Sequence, residues 1–389
     1  MDRSRHRSSR HPPHGRAGLR QPVFQPQRLQ PRRPLDGLHV TPRHLCPRAR
    51  HPPRQGARSR PGAPHRRQPA HVHAVLLLPA AAAQPASVWR CDLDTGATRK
   101  LVDLPPRASV VTINADDTLG AGTFIEGDAH ASGAYDGTPR AASARMSPVN
   151  QGEPANKAEL MTRRLNAKLP MTLFTVDLAT GKLTPLLQHD TNWLNHLQFS
   201  PTDPTLLLYC HEGHWHLVDR IWTIRTDGSQ NQLVHRRTMQ MEIAGHEWWG
   251  ADGRTVYYQL HFPRGGRVSF IASANAATGE RTWLQYDATS QSSIHDNSSP
   301  DQTLFCGDGD RQSPWLFLFR PKLVSDRGTL GEHLIRGGYL ESEKLVDLAR
   351  HNYRLEPNPM FTPDQKFIIF RSNLLGPDYV FAVEVAKAH

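Results

Sequence analysis

No lysine occurs before Lys100, no glutamate before Glu126, no isoleucine before Ile113 and no tyrosine before Tyr135. Arg, Pro, His and Gln fill this opening stretch, with neither a 3.6-residue nor a 2.0-residue apolar period. Such a chain cannot bury enough surface to offset its conformational entropy. Arg, Pro, Ala, Gly and His are also what a GC-rich gene yields when read out of phase. Residues 1–85 are therefore expected to be disordered or out-of-frame sequence. The folded domain is expected at 86–389, with in-frame text resuming near Val88 at "VWRCDLDTGATRKLVDLP".

Cysteine is scarce as well. Cys46, Cys91, Cys210 and Cys306 form no CxxC pair and no framework spacing, which excludes a disulfide scaffold and suits a reducing compartment. The apolar run "HAVLLLPAAAA" is too short to span a bilayer and lies too far into the chain to be a signal sequence. A cytoplasmic location, with no membrane partner, is the expectation. The formal charge of +11 points to nucleic acid only until it is located. Residues 1–70 hold 17 of the 47 Lys and Arg against Asp2 and Asp36, so the remainder carries 30 basic against 34 acidic groups. The body of the chain is mildly acidic, and no nucleic-acid partner is expected for it.

What is present is a repeat. One phrase leads a strand into a tight turn and out again, at "CDLDTGATRKLV", "FTVDLATGKLTPLL", "WTIRTDGSQNQLV" and "ASANAATGERTWLQ". A second phrase alternates with it, at "FSPTDPTLLLYC", "WGADGRTVYYQL", "SPDQTLFCGD" and "TPDQKFIIFRSN". Asp-Gly and Thr-Gly between β-branched and aromatic flanks are hairpin signals. The period is roughly 50 residues, the length of a four-stranded propeller blade. An all-β propeller with five to six blades after Val88 is expected. Residues 127–168 interrupt the pattern as a long loop ending in a short helix. Residues 322–350 interrupt it again, with "ESEKLVDLAR" open to helix or strand.

Five polar clusters stand beside these turns. They contain His196; His211, His214, His216 and Arg220; Glu242, His246 and Glu247; His295 and Asn297; and His351, Tyr353, Arg354, Glu356 and Asn358. Residues one blade apart converge on a propeller axis, so the period gathers His246, His295 and His351 around one pocket. A lone turn histidine is ordinarily just a hydrogen-bonded loop residue. Several at blade phase, with Arg and Glu beside them, point to a site, and neutral imidazoles suit Zn, Mn, Fe or Ni. No G-x-S-x-G module accompanies the repeats, which argues against a propeller peptidase.

The phrases "HLQFSPTDPTLLLYCHEGHWHLVDRIWTIRTDG", "HRRTMQMEIAGHEWWGADGRT", "LFCGDGD", "HNYRLEPN" and "TPDQKFIIFRSNLLGPDYVFAVEVAK" resemble the oligogalacturonate lyase family. The resemblance implies a seven-bladed propeller with one or more N-terminal blades missing or corrupted here. It implies β-elimination of galacturonate oligomers, mainly dimers, to 4-deoxy-5-keto-uronates, with Mn²⁺ or another divalent cation as cofactor. By the same resemblance His246 looks like the base and Arg220 a catalytic carboxylate partner. His211, His214, Arg237 and Tyr353 are implied to bind the oligogalacturonide, and His295 and His351 to ligate metal. The alternative is a non-catalytic uronate-binding propeller, or a pseudo-enzyme inactivated by the aberrant N-terminus.

Overall fold

The computed structural model describes residues 73–78, 85–92, 95–126, 159, 162, 166–190, 193–290, 292–325 and 334–386. The rest of the 1–85 segment lies outside the described residues, as does most of the 127–168 interruption, where the described Glu159, Thr162, Asn166 and Ala167 are helical as expected. Among the described residues, six successive antiparallel units follow one another. The first holds β1 (His73–Leu78), β2 (Ser87–Asp92) and β3 (Thr98–Asp103). The second holds β4 (Ser109–Ile113), β5 (Leu119–Ile125), β6 (Met171–Asp177) and β7 (Leu183–His189). In the third are β8 (Trp193–Phe199), β9 (Leu206–Glu212), β10 (Ile221–Arg225) and β11 (Gln232–Leu233). The fourth comprises β12 (Ile243–Trp249), β13 (Thr255–Phe262), β14 (Val268–Asn275) and β15 (Arg281–Gln285). The fifth comprises β16 (Asp296–Ser298), β17 (Phe305–Gly307), β18 (Trp315–Leu323) and β19 (Ile335–Asp347), and the sixth β20 (Met360–Phe361), β21 (Phe367–Ser372) and β22 (Tyr379–Glu384).

This is a β-propeller, read blade by blade as the turn phrases indicate. Two details go beyond them. The apolar run at 73–78 is a strand, paired with β2 from His73↔Asp92 to Leu78↔Ser87, so the first sheet begins ahead of the boundary drawn at residue 86. The "ESEKLVDLAR" stretch is strand: β19 pairs along β18 from Trp315↔Asp347 to Leu323↔Gly338. Its other edge runs parallel to β15, from Arg281↔Ile335 to Gln285↔Tyr339, which joins the fourth and fifth units into one eight-stranded sheet.

Strand alternation supplies the packing between blades. On β9, Leu207 and Tyr209 join Leu173, Leu194 and Ile224 in one buried cluster. Leu208, from the opposite face, joins Ile221, Tyr258 and Leu260 in the next. Each central blade is thus apolar on both faces. The hairpin phrases close by side-chain caps. Asp177 Oδ1 accepts from the backbone N–H of Ala179 at 2.9 Å and of Thr180 at 2.7 Å. Asn275 does the same for Ala277 and Thr278.

In the second phrase one position adopts positive φ in the second, fourth, fifth and sixth blades: Asp117 at 60°, Gly253 at 66°, and Gln302 and Gln365 at 59°. At Gly253 the site is also crowded. A Cβ there would lie 2.0 Å from Thr202 Oγ1 and 2.5 Å from Ser200 Oγ. Ser200 Oγ moreover donates to Gly253 O at 2.7 Å, tying the third blade to the fourth. Gly279 has a similar φ of 74° but nothing within 4 Å of a Cβ. In urea denaturation, Gly253→Ala is expected to cost clearly more than about 1 kcal/mol, and Gly279→Ala only the backbone strain. Equal losses would contradict the inter-blade packing described.

Candidate functional site

The site begins with a backbone irregularity. In β8, Asn195 pairs with Cys210 and Gln198 with Leu208, so His196 and Leu197 together face one residue. In β12, Gly245 pairs with Gln259 and Trp248 with Tyr257, so His246 and Glu247 do the same. These are β-bulges, which bend a strand and re-aim a side chain. His196 sits at φ 51° and His246 at φ 52°, a conformation that costs a non-glycine residue on the order of 1–3 kcal/mol. Asn358, just ahead of β20, occupies the corresponding place at φ 47°. The first strands carrying these residues touch in succession. His196 Nδ1 lies 2.9 Å from Glu247 Oε1, Trp248 Nε1 donates to Ser298 Oγ at 3.2 Å, and the His246 and His295 rings are 4.9 Å apart.

His246 is exposed along one side yet hemmed in by protein. Its Nδ1 lies 2.7 Å from Gln259 Oε1, and its Nε2 has no hydrogen-bond partner among the described residues. Desolvation, helped by the neighbouring His295, pushes its pKa down to about 4. The ring is therefore neutral near pH 7.

His295 is held from behind. Asp308 Oδ2 lies 2.9 Å from its Nδ1, and Asp308 Oδ1 accepts its backbone N–H at 2.8 Å. The outer nitrogen, Nε2, faces Glu356 Oε2 at 3.8 Å. Burial opposes charge on His295, but Asp308, Glu356 and Asp296 outweigh it and raise the pKa. Tyr353 joins the same wall, donating from Oη to Asp308 O at 2.9 Å, and its ring lies 4.8 Å from that of His351. His351 is buried with both nitrogens engaged: Nδ1 with Ser372 Oγ at 2.8 Å, Nε2 with Leu355 O at 2.7 Å. The carbonyl can only accept, so Nε2 carries the proton.

Behind the β12 bulge lies a group of buried charges. Arg220 is 3% exposed, and its Nε and Nη1 are buried without a hydrogen-bond partner. It lies against Gly245, where a Cβ would come within 3.4 Å of Nε. Burial opposes its charge, but Cys210, Glu247 and Glu212 outweigh that and raise its pKa. Burial alone would raise the Glu247 carboxyl, yet His196 and Arg220 pull it down to about 2. For His196, burial is likewise overcome, chiefly by Glu247, and its pKa rises. His196, Cys210 and Glu247 place possible ligand atoms within 4.8 Å of one another. Arg220 beside them makes the group self-neutralising, and burial keeps the Cys210 thiol protonated. This donor set does not fit a cation.

The structure thus brings together His246 and His295, with Arg220 beneath them and Tyr353 and His351 behind Asp308. Among the residues named for substrate binding, it does not bring in His211, His214 or Arg237. His211 packs between His189, Tyr209 and Trp222, on the apolar face of β9. His214 lies against Trp215 and His216 in the β9–β10 connection. Arg237 braces that connection, with its Nε 3.0 Å from Asp219 Oδ1 and Nη1 on His216 O. Glu242 clasps His235, Thr238 and Met239. Three residues at the site escaped sequence reading: Gln259, Asp296 and Asp308. Gln259 had a signal, an amide inside the otherwise apolar "TVYYQLHF", and it is only 2% exposed.

The burial of His211 has a pH consequence. Desolvation, and then the neighbouring His189, lower its pKa to about 4, whereas the unfolded chain titrates near its ordinary value of about 6.5. Between these limits the unfolded state binds the extra proton, so this contribution is present above pH 6.5 and lost as pH falls toward 4. His211→Phe should leave stability at pH 7 little changed and reduce the loss between pH 7 and 5. Parallel pH dependences in urea titrations would contradict it.

Comparison with known proteins agrees with this architecture. Residues 163–315 match the family model described as oligogalacturonate lyase. The chain is 29% identical over 228 residues to an oligogalacturonate lyase of Dickeya dadantii, covering 55% of each. It is 28% identical over the same length to an oligogalacturonide lyase of Pectobacterium atrosepticum, again covering 55% of each. The chain thus spans about half the length of these relatives. A solved oligogalacturonate lyase in complex with manganese superposes with a TM-score of 0.60 at 24% identity, over 80% of this chain and 74% of that one. The Vibrio parahaemolyticus oligogalacturonate lyase gives 0.60 at 21% identity, over 80% and 75%. These likenesses establish the fold. Through residues 163–315, the chain is thus similar in sequence to the oligogalacturonate lyase family.

Proposed function

We propose that this protein cleaves short galacturonate oligomers, mainly dimers, by β-elimination. The observation that carries this reading is the His246 ring, neutral near pH 7 and with Nε2 unpartnered, set beside His295 at 4.9 Å. In the reaction the C5–H bond of a uronate breaks and its proton passes to His246 Nε2. The electron pair forms the C4=C5 bond. The C4–O bond breaks, and the departing oxygen leaves with the neighbouring sugar and takes up a proton. The product rearranges to the 4-deoxy-5-keto-uronate. Being neutral near pH 7, the imidazole is in the form that can accept this proton.

Arg220 supports recognition of the uronate carboxylate. Its buried Nε and Nη1 lack acceptors, and a planar guanidinium binds a carboxylate through paired hydrogen bonds. For the cation, the donors fit at His295 and Glu356. Asp308 engages Nδ1 of His295 and leaves Nε2 facing a carboxylate, the arrangement in which a carboxylate orients a ligating imidazole. A bound divalent ion, manganese in the solved relative, would stabilise negative charge gathering on the uronate carboxylate. His351 fits a supporting role behind Tyr353 better than ligation, because both of its nitrogens are engaged. That same feature favours the second reading, a uronate-binding propeller without turnover.

Digalacturonate incubated with the full chain and Mn²⁺ separates the two. Keto-uronate should accumulate without hydrolysis products, stop on addition of EDTA and resume when Mn²⁺ is restored. Saturable binding of digalacturonate by folded, Mn²⁺-supplied protein with no product formed would establish the binding propeller instead. Activity persisting in excess EDTA would remove the metal from the reading.

A further inference from the structure

Gln259 is a buried amide whose three polar contacts admit one orientation. It lies on β13 directly opposite Gly245, the last paired residue before the β12 bulge. Its Nε2 lies 2.6 Å from Ser293 O and 2.5 Å from Asp296 Oδ2. A backbone carbonyl has no proton to give, so the group facing Ser293 O must be the amide NH₂. The amide oxygen is then the atom 2.7 Å from His246 Nδ1. An amide oxygen cannot donate either, so the proton of a neutral His246 ring resides on Nδ1. The lone pair is left on Nε2.

The surroundings keep this arrangement in place. Asp296 Oδ2 also accepts from Tyr286 Oη at 2.6 Å, and Ser293 Oγ accepts from the Gly309 N–H at 3.0 Å, so both neighbours that fix the amide are themselves held. His246 needs such a brace because it sits in a bulge at φ 52°, where the ladder no longer dictates its direction. A carboxylate opposite Nδ1 would also orient a histidine, but it would add a buried negative charge beside Glu247 and beside Asp296, whose own carboxyl burial already pushes up to about 7. A neutral amide orients without that charge.

We propose that Gln259 is the positioning residue of the site: it holds His246 in the Nδ1–H tautomer and turns Nε2 toward the reacting proton. The role rests on His246 being the base, while the tautomer itself does not. Long-range ¹H–¹⁵N correlation of the histidine rings in the full chain at pH 7, assigned by loss of one signal in His246→Ala, reads the tautomer directly. Wild type should show His246 protonated at Nδ1. Gln259→Met keeps the shape but removes the acceptor, and should shift the ring toward a mixture of tautomers. It should also lower kcat on the order of 10²-fold, as for a misplaced catalytic group, with KM little changed. A wild-type ring protonated at Nε2 would overturn the proposal, even if Gln259→Met failed to fold. So would an unchanged tautomer, or an unchanged kcat, in a folded Gln259→Met protein that is an active lyase. If wild type shows the Nδ1–H form but makes no product with Mn²⁺, the lyase reading fails and the tautomer assignment stands.

Discussion

At the bulges of β8 and β12 two residues stand where the ladder has room for one, and the backbone yields by turning a histidine into positive φ. The rest of the site depends on that distortion. Without the extra residue, strand alternation would put His246 and Glu247 at ordinary positions of a paired strand. With it, His246 leans toward His295 while Glu247 drops into the blade interface to meet His196 and Arg220. Strain of this kind persists only where surrounding structure over-determines it. Here Gln259 grips the imidazole, and Trp248 and Trp249 anchor the far side of the bulge to Ser298 and Gln198.

Buried polar groups then sort into two layers. Beneath the bulge, His196, Arg220, Glu247 and Glu212 balance charge within low-dielectric surroundings, where an unpaired ion would be costly. Around the channel, Asp296 acts on His246 through Gln259, whereas Asp308 acts directly on His295. The two imidazoles end with opposite tendencies, one pushed toward neutrality by burial and one drawn toward charge by its carboxylates. A neutral base beside a nitrogen that faces a carboxylate is what the proposed elimination requires.

Much of this was legible in the sequence, because the blade repeat is written in turn residues whose backbone demands are local. The Asp-Gly and Thr-Gly turns could be read without tertiary knowledge, and they carried the fold. They also set the phase that placed His246 and His295 together. The same reasoning went less far with "CHEGHWH": nothing local says which strand face a histidine occupies, and His211 packs among aromatic rings. His351 lies seven residues ahead of the phase position, which belongs to Asn358. Gln259 and Asp296 were hidden because their roles arise from contacts across blades, 34 to 37 residues apart in sequence.

The account turns on whether His246 carries the proton in the chemical step. Turnover per folded molecule of His246→Ala, with the folded fraction measured on the same sample, addresses this most directly. A transfer made only in the transition state predicts a fall of roughly 10²–10⁴ in kcat with little change in KM. A near-native kcat in the folded fraction, with only a lowered melting temperature, would mean that His246 stabilises the bulge and that the base lies elsewhere.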